Sequence, residues 1–89
     1  MTSRATPAFW AAYRALPADI QEQARRAYSL FRENPAHPSL RFKRVSDRAP
    51  IYSARITIKY RALGLLQGDQ IIWTWIGNHE DYDRLIGRG

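Results

Sequence analysis

The sequence predicts an α+β fold: an N-terminal helical hairpin packed on a twisted, mainly antiparallel sheet of three or four strands, followed by a short C-terminal helix. Three observations lead there. Apolar residues recur at helical spacing through the first third of the chain and stop at Asn34-Pro35. Ile51–Ile58 follows the alternation of a strand with one face turned inward. Gln67-Gly68-Asp69 then separates two more apolar runs in the way a hairpin turn does.

Taken in order, Met1–Ala5 has two open readings, a short first strand or a frayed end. Thr6-Pro7 is a helix start, with Thr6 as the cap and Pro7 at the first helical position, where a missing N–H costs nothing. The first helix runs to about Leu16 and places Phe9, Tyr13 and Leu16 on one face. Pro17 interrupts it. A second helix is expected over Ala18–Glu33, with Ile20, Ala24, Ala27 or Tyr28, and Phe31 as its apolar stripe. Asp19 and Glu22 sit in its first turn, where the helix dipole favours negative charge. Trp10 and Tyr28 read as packing residues of the hairpin, with base stacking as the alternative.

A basic connector, Ala36–Arg48, follows, with a short strand expected at Leu40–Val45. In Ile51–Ile58 the residues Tyr52, Ala54, Ile56 and Ile58 face one way, and Ser53, Arg55 and Thr57 the other. Tyr60–Leu66 and Gln70–Ile76 form an antiparallel hairpin. Gly64 inside a strand signals a bulge or a close approach. His79–Ile86 reads as the terminal helix.

Eighty-nine residues are expected to form one domain, 1–89. With 45% hydrophobic and 12% aromatic residues the chain is too apolar for a disordered tail. The absence of cysteine excludes disulfides, thiolate metal sites and a cysteine nucleophile, and fits a reducing cytoplasm. Two histidines without cysteine do not make a dedicated zinc set, so neither a metal nor any other cofactor is expected. No apolar run approaches a membrane span, and no membrane partner is expected.

The net charge is +6, and its distribution is uneven. Arg41, Lys43, Arg44, Arg48, Arg55, Lys59 and Arg61 face Asp47 alone within one window, while the charges outside it cancel. Such a block is the footprint of a phosphate-binding surface, with RNA as the expected partner; the alternative is a solvated basic face kept for solubility. Twelve of the fourteen cations are arginine, whose planar fork matches phosphate oxygens.

Two groups could carry chemistry. Arg55, Lys59 and Arg61 lie on or between two paired strands and can converge on one phosphate; the alternative is a plain backbone contact or a surface ion pair. His79 and Tyr82 follow the last strand directly and share a helix face. Histidine is the side chain suited to moving protons at neutral pH, so His79 suits general acid or base work. Tyr82 suits base stacking or a hydrogen bond to a leaving oxygen. Against this, His79 can serve as a helix cap and Tyr82 as a neighbour of Leu85. Glu80, Asp81 and Asp83 are explained by the helix dipole. His37, in a loop between prolines, is assigned no role.

These residues resemble a known family. The strand pair Ile51–Leu66, the run Ile71–Gly77 and His79-Glu-Asp-Tyr82-Asp-Arg-Leu85 are similar to the RelE/ParE toxin superfamily of bacterial toxin–antitoxin modules. So are Leu16-Pro17 and Asn34-Pro35 of the helical hairpin, and the likeness covers nearly the whole chain. Its more specific parts are Tyr60-Arg61 and Ile76-Gly77-x-His79. The resemblance implies two helices on a twisted antiparallel sheet. It also implies, for RelE-like members, ribosome-dependent cleavage of mRNA by the nucleotide's own 2′-hydroxyl, without metal. On that likeness Arg55 and Arg61 would hold the scissile phosphate and Lys59 would assist. His79 would be the acid or base, and Tyr82 the stacking or orienting group. Arg41, Lys43, Arg44 and Arg48 would grip ribosomal RNA or an acidic partner. The implied partners are the ribosome, mRNA and a cognate antitoxin with an acidic segment. ParE-like members instead poison DNA gyrase, which is the alternative reading, as is a catalytically weak relic that binds RNA or antitoxin. The chain departs from many RelE-like sequences in carrying Ser53, not a cation, two positions before Arg55, and in the short interval from His79 to Tyr82.

Overall fold

The computed structural model describes residues 1–87. Its elements are β1 (Thr2–Ala5), α1 (Pro7–Arg14), α2 (Ala18–Glu33), a 3-10 turn at Pro38–Leu40, β2 (Lys43–Arg44), β3 (Ile51–Thr57), β4 (Tyr60–Gln67), β5 (Gln70–Asn78) and α3 (His79–Leu85). The layer arrangement is the expected one. The sheet is larger, with five strands in the order β1-β5-β4-β3-β2. The first segment is a strand, and it pairs parallel to β5, with Thr2 beside Gln70 and Ala5 beside Trp73. The other pairs are antiparallel. Four residues are too few for the strand period to stand out, so only the pairing partner makes β1 visible. No described helix is long and apolar enough to cross a membrane.

Local chemistry explains the helix ends. The Thr6 hydroxyl accepts the Phe9 N–H at 3.1 Å, which caps α1 as expected. The helix stops at Arg14, one half-turn before the expected Leu16. There the Gln21 side chain, from the next helix, donates to the carbonyls of Tyr13 and Leu16 at 3.1 and 3.2 Å. Those are acceptors that a helix end leaves without partners. α2 matches its expected span and buries Ala24, Ala27 and Phe31.

One sheet face carries the core. Ala54, Ala62 and Ile76 form one cross-strand row, and Tyr52, Gly64 and Trp73 the next. Alanines in the first row let the helices approach the sheet closely. Gly64 serves both purposes read from its position: the ladder shifts register beside it, and a Cβ there would lie 2.9 Å from the Trp73 ring. Phe31 meets Trp73 and Phe42 edge-on at 5.3 and 5.1 Å, and Phe42 stacks on Tyr52 at 5.0 Å. Fully burying side chains of this size contributes about 1.5–3 kcal/mol each.

Three expectations are corrected here. The connector strand is only Lys43–Arg44, because Leu40 turns into the core at 1% exposure and Arg41 reverses the chain at φ 44°. Ile58 belongs to the β3–β4 turn and is 70% exposed. Trp10 and Tyr28 are not buried by the hairpin but are 46% and 42% exposed. α1 lies against β5 and α2 against β3. Between them opens an apolar groove of about 470 Å³, lined in part by Phe9, Trp10, Tyr13, Tyr28 and Phe31.

Candidate nucleic-acid interface

The opposite sheet face carries the charge. Strand alternation places Ser53 and Arg55 there, away from the core. Arg55 pairs directly with Arg61, and Arg61 with Gly77, so the three form one row across β3, β4 and β5. The next row holds Lys43, Ser53, Leu63 and Trp75. α3 lies over this face. Its Tyr82 hydroxyl donates to Ser53 Oγ at 3.2 Å.

Arg61 is held by the turn that joins its strand to β3. Its Nη1 donates to the carbonyl oxygens of Thr57, Tyr60 and Ile58 at 2.6, 3.0 and 3.3 Å. Arg55 and Arg61 are both half-buried. Among the described residues neither forms an ion pair with a carboxylate. Burial first, and the facing charge of Arg55 second, hold the Arg61 guanidinium below the ordinary arginine pKa. Tyr82 and Asp83 counter that lowering, and the charge of Arg41 adds to it. An arginine still keeps its proton at neutral pH. The lowering therefore reflects burial first, and the positive charges of Arg55 and Arg41 only after it.

Lys59 is exposed at the tip of the same turn. Its N–H is held by Thr57 Oγ1 at 3.1 Å, and its carbonyl accepts the His79 N–H at 2.7 Å. That backbone bond joins the turn to the start of α3. It brings Lys59 and His79 to the same corner as the Arg55–Arg61 row. Asn78 caps α3 by accepting the Asp81 N–H at 2.8 Å, so the capping role considered for His79 belongs to its neighbour.

Of the two readings open for Tyr82, the structure shows a packed side chain. It is 4% exposed, and its hydroxyl is engaged by Ser53. In this arrangement its ring is not open for a base to stack on; it anchors α3 to the sheet. The cause is tertiary: α3 docks with this side inward. Ser53 is the partner that makes the docking polar, and it is 2% exposed.

The four connector cations do not form one patch. Lys43 shares the site face with its partner Ser53, while Arg44, opposite Tyr52, takes the other face and donates through Nε to the Ser46 carbonyl at 2.7 Å. Arg48 is exposed in the following loop and lines a hollow with Leu85 and Ile86. Arg41 is the one whose charge reaches Arg61.

Two residues at the site were not singled out from sequence. Asp83 Oδ2 lies 3.1 Å from His79 Nδ1. The signal was present, four positions apart on a helix, but a carboxylate near a helix start is equally explained by the dipole. The second is Trp75. A Cβ on Gly77 would lie 2.4 Å from Trp75 Cζ2, so the indole lies over Gly77 at the end of the arginine row. Gly77 is needed there because no larger residue leaves room for that ring.

Comparison with known proteins agrees with this architecture. The family model of the ParE-like toxin domain matches residues 18–84. No curated protein matches the chain. Among solved structures, the RelB–RelE antitoxin–toxin complex from Methanococcus jannaschii superposes with a TM-score of 0.73 at 17% identity, covering 91% of this chain and 96% of that one. The RelBE2 toxin–antitoxin complex from Mycobacterium tuberculosis gives 0.70 at 20% identity, covering 88% and 96%. YafQ from E. coli gives 0.72 at 9% identity, covering 90% and 94%. At such identities the likeness is one of fold. The matched span of the family model takes in Arg41, the Arg55–Arg61 row and the His79–Asp83 pair, and the chain belongs to the ParE-like toxin domain family.

Proposed function

We propose that this chain is the toxin of a toxin–antitoxin pair and that it cleaves mRNA on the ribosome. The observation that carries the reading is the cross-strand pair Arg55–Arg61, two half-buried like charges face to face without a carboxylate partner among the described residues. Like charges in that position destabilise a sheet. A phosphate group offsets the repulsion and accepts hydrogen bonds from both guanidinium forks.

In the proposed reaction the 2′-hydroxyl of a nucleotide attacks the adjacent phosphorus. Arg55 and Arg61 hold the non-bridging oxygens and stabilise the added charge of the pentacoordinate transition state. Lys59, exposed at the turn, adds to that field. His79 takes the 2′-hydroxyl proton and returns one to the departing 5′ oxygen. The products are a 2′,3′-cyclic phosphate and a free 5′-hydroxyl. Arg41 and Lys43 extend the phosphate track, and Arg48 contacts RNA farther along. Tyr82 supports the site from beneath by fixing α3.

The proposed partner is a cognate antitoxin. The apolar groove between α1 and α2 has Arg4 and Arg25 in its lining and no carboxylate among the described residues that line it. It fits the apolar side of an acidic segment. The groove lies on the core face, so this contact is separate from the arginine row.

The test is incubation of purified chain with ribosomes carrying a defined mRNA. Cleavage with a 5′-hydroxyl end, lost in Arg61→Ala, supports the reading. Undiminished cleavage by that variant rejects the site. Inhibition of gyrase supercoiling with mRNA left intact would support the gyrase-directed reading instead.

A further inference from the structure

We propose that Asp83 is a positioning residue for His79, fixing the imidazole with its proton on Nδ1 and leaving Nε2 as the atom that moves protons; this rests on the cleavage reaction proposed above. The geometry is direct. Asp83 Oδ2 lies 3.1 Å from His79 Nδ1, one helical turn along α3. A lone pair on Nδ1 would face the negative carboxylate at that distance, whereas an N–H there is attracted to it, so the ion-pair approach favours the tautomer with its proton on Nδ1. A neutral imidazole that donates through one nitrogen accepts through the other, and Nε2 then carries a lone pair.

The surroundings hold the pair in place at both ends. The His79 backbone is tied to the Lys59 carbonyl at 2.7 Å. The intervening Tyr82 is buried and bound to Ser53, which sets the rotation of α3 on the sheet. The other acids of the helix are directed elsewhere: Asp81 pairs with Arg84, and Glu80 is exposed. The His79 and Asp83 side chains keep 44% and 33% exposure, so a substrate can reach the ring. Asp83 is also close enough to Arg61 for its charge to act there, which puts the pair beside the arginine row.

The chemistry balances without a further reactant. Nε2 accepts the proton of the 2′-hydroxyl as the O2′–P bond forms. The resulting imidazolium faces the Asp83 carboxylate, which stabilises it. As the P–O5′ bond breaks, the proton passes to O5′. Asp83 never touches the RNA in this scheme; it acts through the tautomer and orientation of His79.

The pair can be read without any cleavage assay. In ¹⁵N spectra of imidazole-labelled full chain, His79 is expected to show a protonated Nδ1 and a lone pair on Nε2, and Asp83→Ala to shift it towards the Nε2-protonated form. A predominantly Nε2-protonated ring in the unsubstituted protein overturns the proposal. On ribosomes, Asp83→Ala is expected to lower the single-turnover rate about 10–100-fold with the half-saturating ribosome concentration unchanged. Adding it to His79→Ala should slow the reaction no further, and Asp83→Glu should restore part of the rate. Asp83→Asn, which keeps the shape of the side chain, serves if the alanine variant does not fold. Full activity in Asp83→Ala or Asp83→Asn overturns the positioning role. An unsubstituted chain that cuts no mRNA overturns both the reaction and the role, whereas the spectra still decide whether the pair exists.

Discussion

Arg55 and Arg61 stand directly opposite each other across β3 and β4, one cationic cross-strand pair with the Arg61 guanidinium clasped by the carbonyls of its own turn. Like charges so placed weaken a sheet, and on the proposed reading an anion offsets the repulsion. Removing the Arg55 charge should therefore leave stability unchanged or improve it slightly, by up to about 1 kcal/mol, whereas Arg61→Ala also loses the hydrogen bonds to its turn and should not be stabilising. Cleavage should fall about 10²–10³-fold, the usual cost of losing one transition-state donor. Sulfate or phosphate should raise the melting temperature of the unsubstituted chain. At ten times its dissociation constant an anion adds about 1.4 kcal/mol, several degrees for a domain of this size. Arg61→Ala should lose most of that rise. An equal rise in the variant would place anion binding elsewhere.

The Tyr82–Ser53 hydroxyl contact fastens α3 to the sheet beneath the site. Tyr82→Phe and Ser53→Ala should each cost about 1–2 kcal/mol, since each leaves a buried hydroxyl or its partner unpaired. The double variant should cost less than the sum of the two, because the interaction is removed only once. Denaturant unfolding of the four proteins measures this. Strict additivity would mean that the hydroxyls contribute independently. Tyr82→Phe keeps the packed ring, so its cleavage rate should fall far less than that of His79→Ala.

Sequence patterns reveal features that depend on one element and miss features that depend on two. Arg55 and Arg61 were legible because strand alternation and a short turn determine their relative position. The layer order was legible because helical and strand periods occupy separate stretches of chain. Tyr82 stayed open between packing and base contact because its burial depends on which side of α3 meets Ser53, twenty-nine positions earlier. Trp10 and Tyr28 were placed inside because apolar spacing says that a face exists, not that another helix covers it. Asp83 had a sufficient electrostatic explanation before its contact with His79 was visible. β1 became a strand only through β5, at the other end of the chain.

Gly77→Ala tests the arrangement of the row's end. The new Cβ would meet three atoms of the Trp75 ring, at 2.4, 2.9 and 3.1 Å, and the indole must swing away. Overpacking of this kind costs about 1–3 kcal/mol. The variant should show altered Trp75 fluorescence in a background where Trp10 and Trp73 are replaced by phenylalanine. An unchanged spectrum and melting temperature would mean that the indole does not rest on Gly77.

Arg41 holds a left-handed backbone, with φ 44° and ψ 44°, that favours glycine over any residue with a side chain. For an arginine this costs roughly 1–2 kcal/mol. Glycine would relieve the cost but add about 0.5–1 kcal/mol of chain entropy to the unfolded state. Arg41→Gly should therefore be neutral or stabilising by up to about 1 kcal/mol. Yet Arg41 lies near enough to add its charge to the field at Arg61, so the same variant should weaken RNA binding and reduce its salt dependence by about one phosphate contact. Arg41→Ala keeps the strained backbone and loses the charge, and should be less stable than Arg41→Gly with the same loss of binding. An Arg41→Gly variant less stable than Arg41→Ala would show that the left-handed turn carries no strain. Undiminished binding in both would remove Arg41 from the phosphate track.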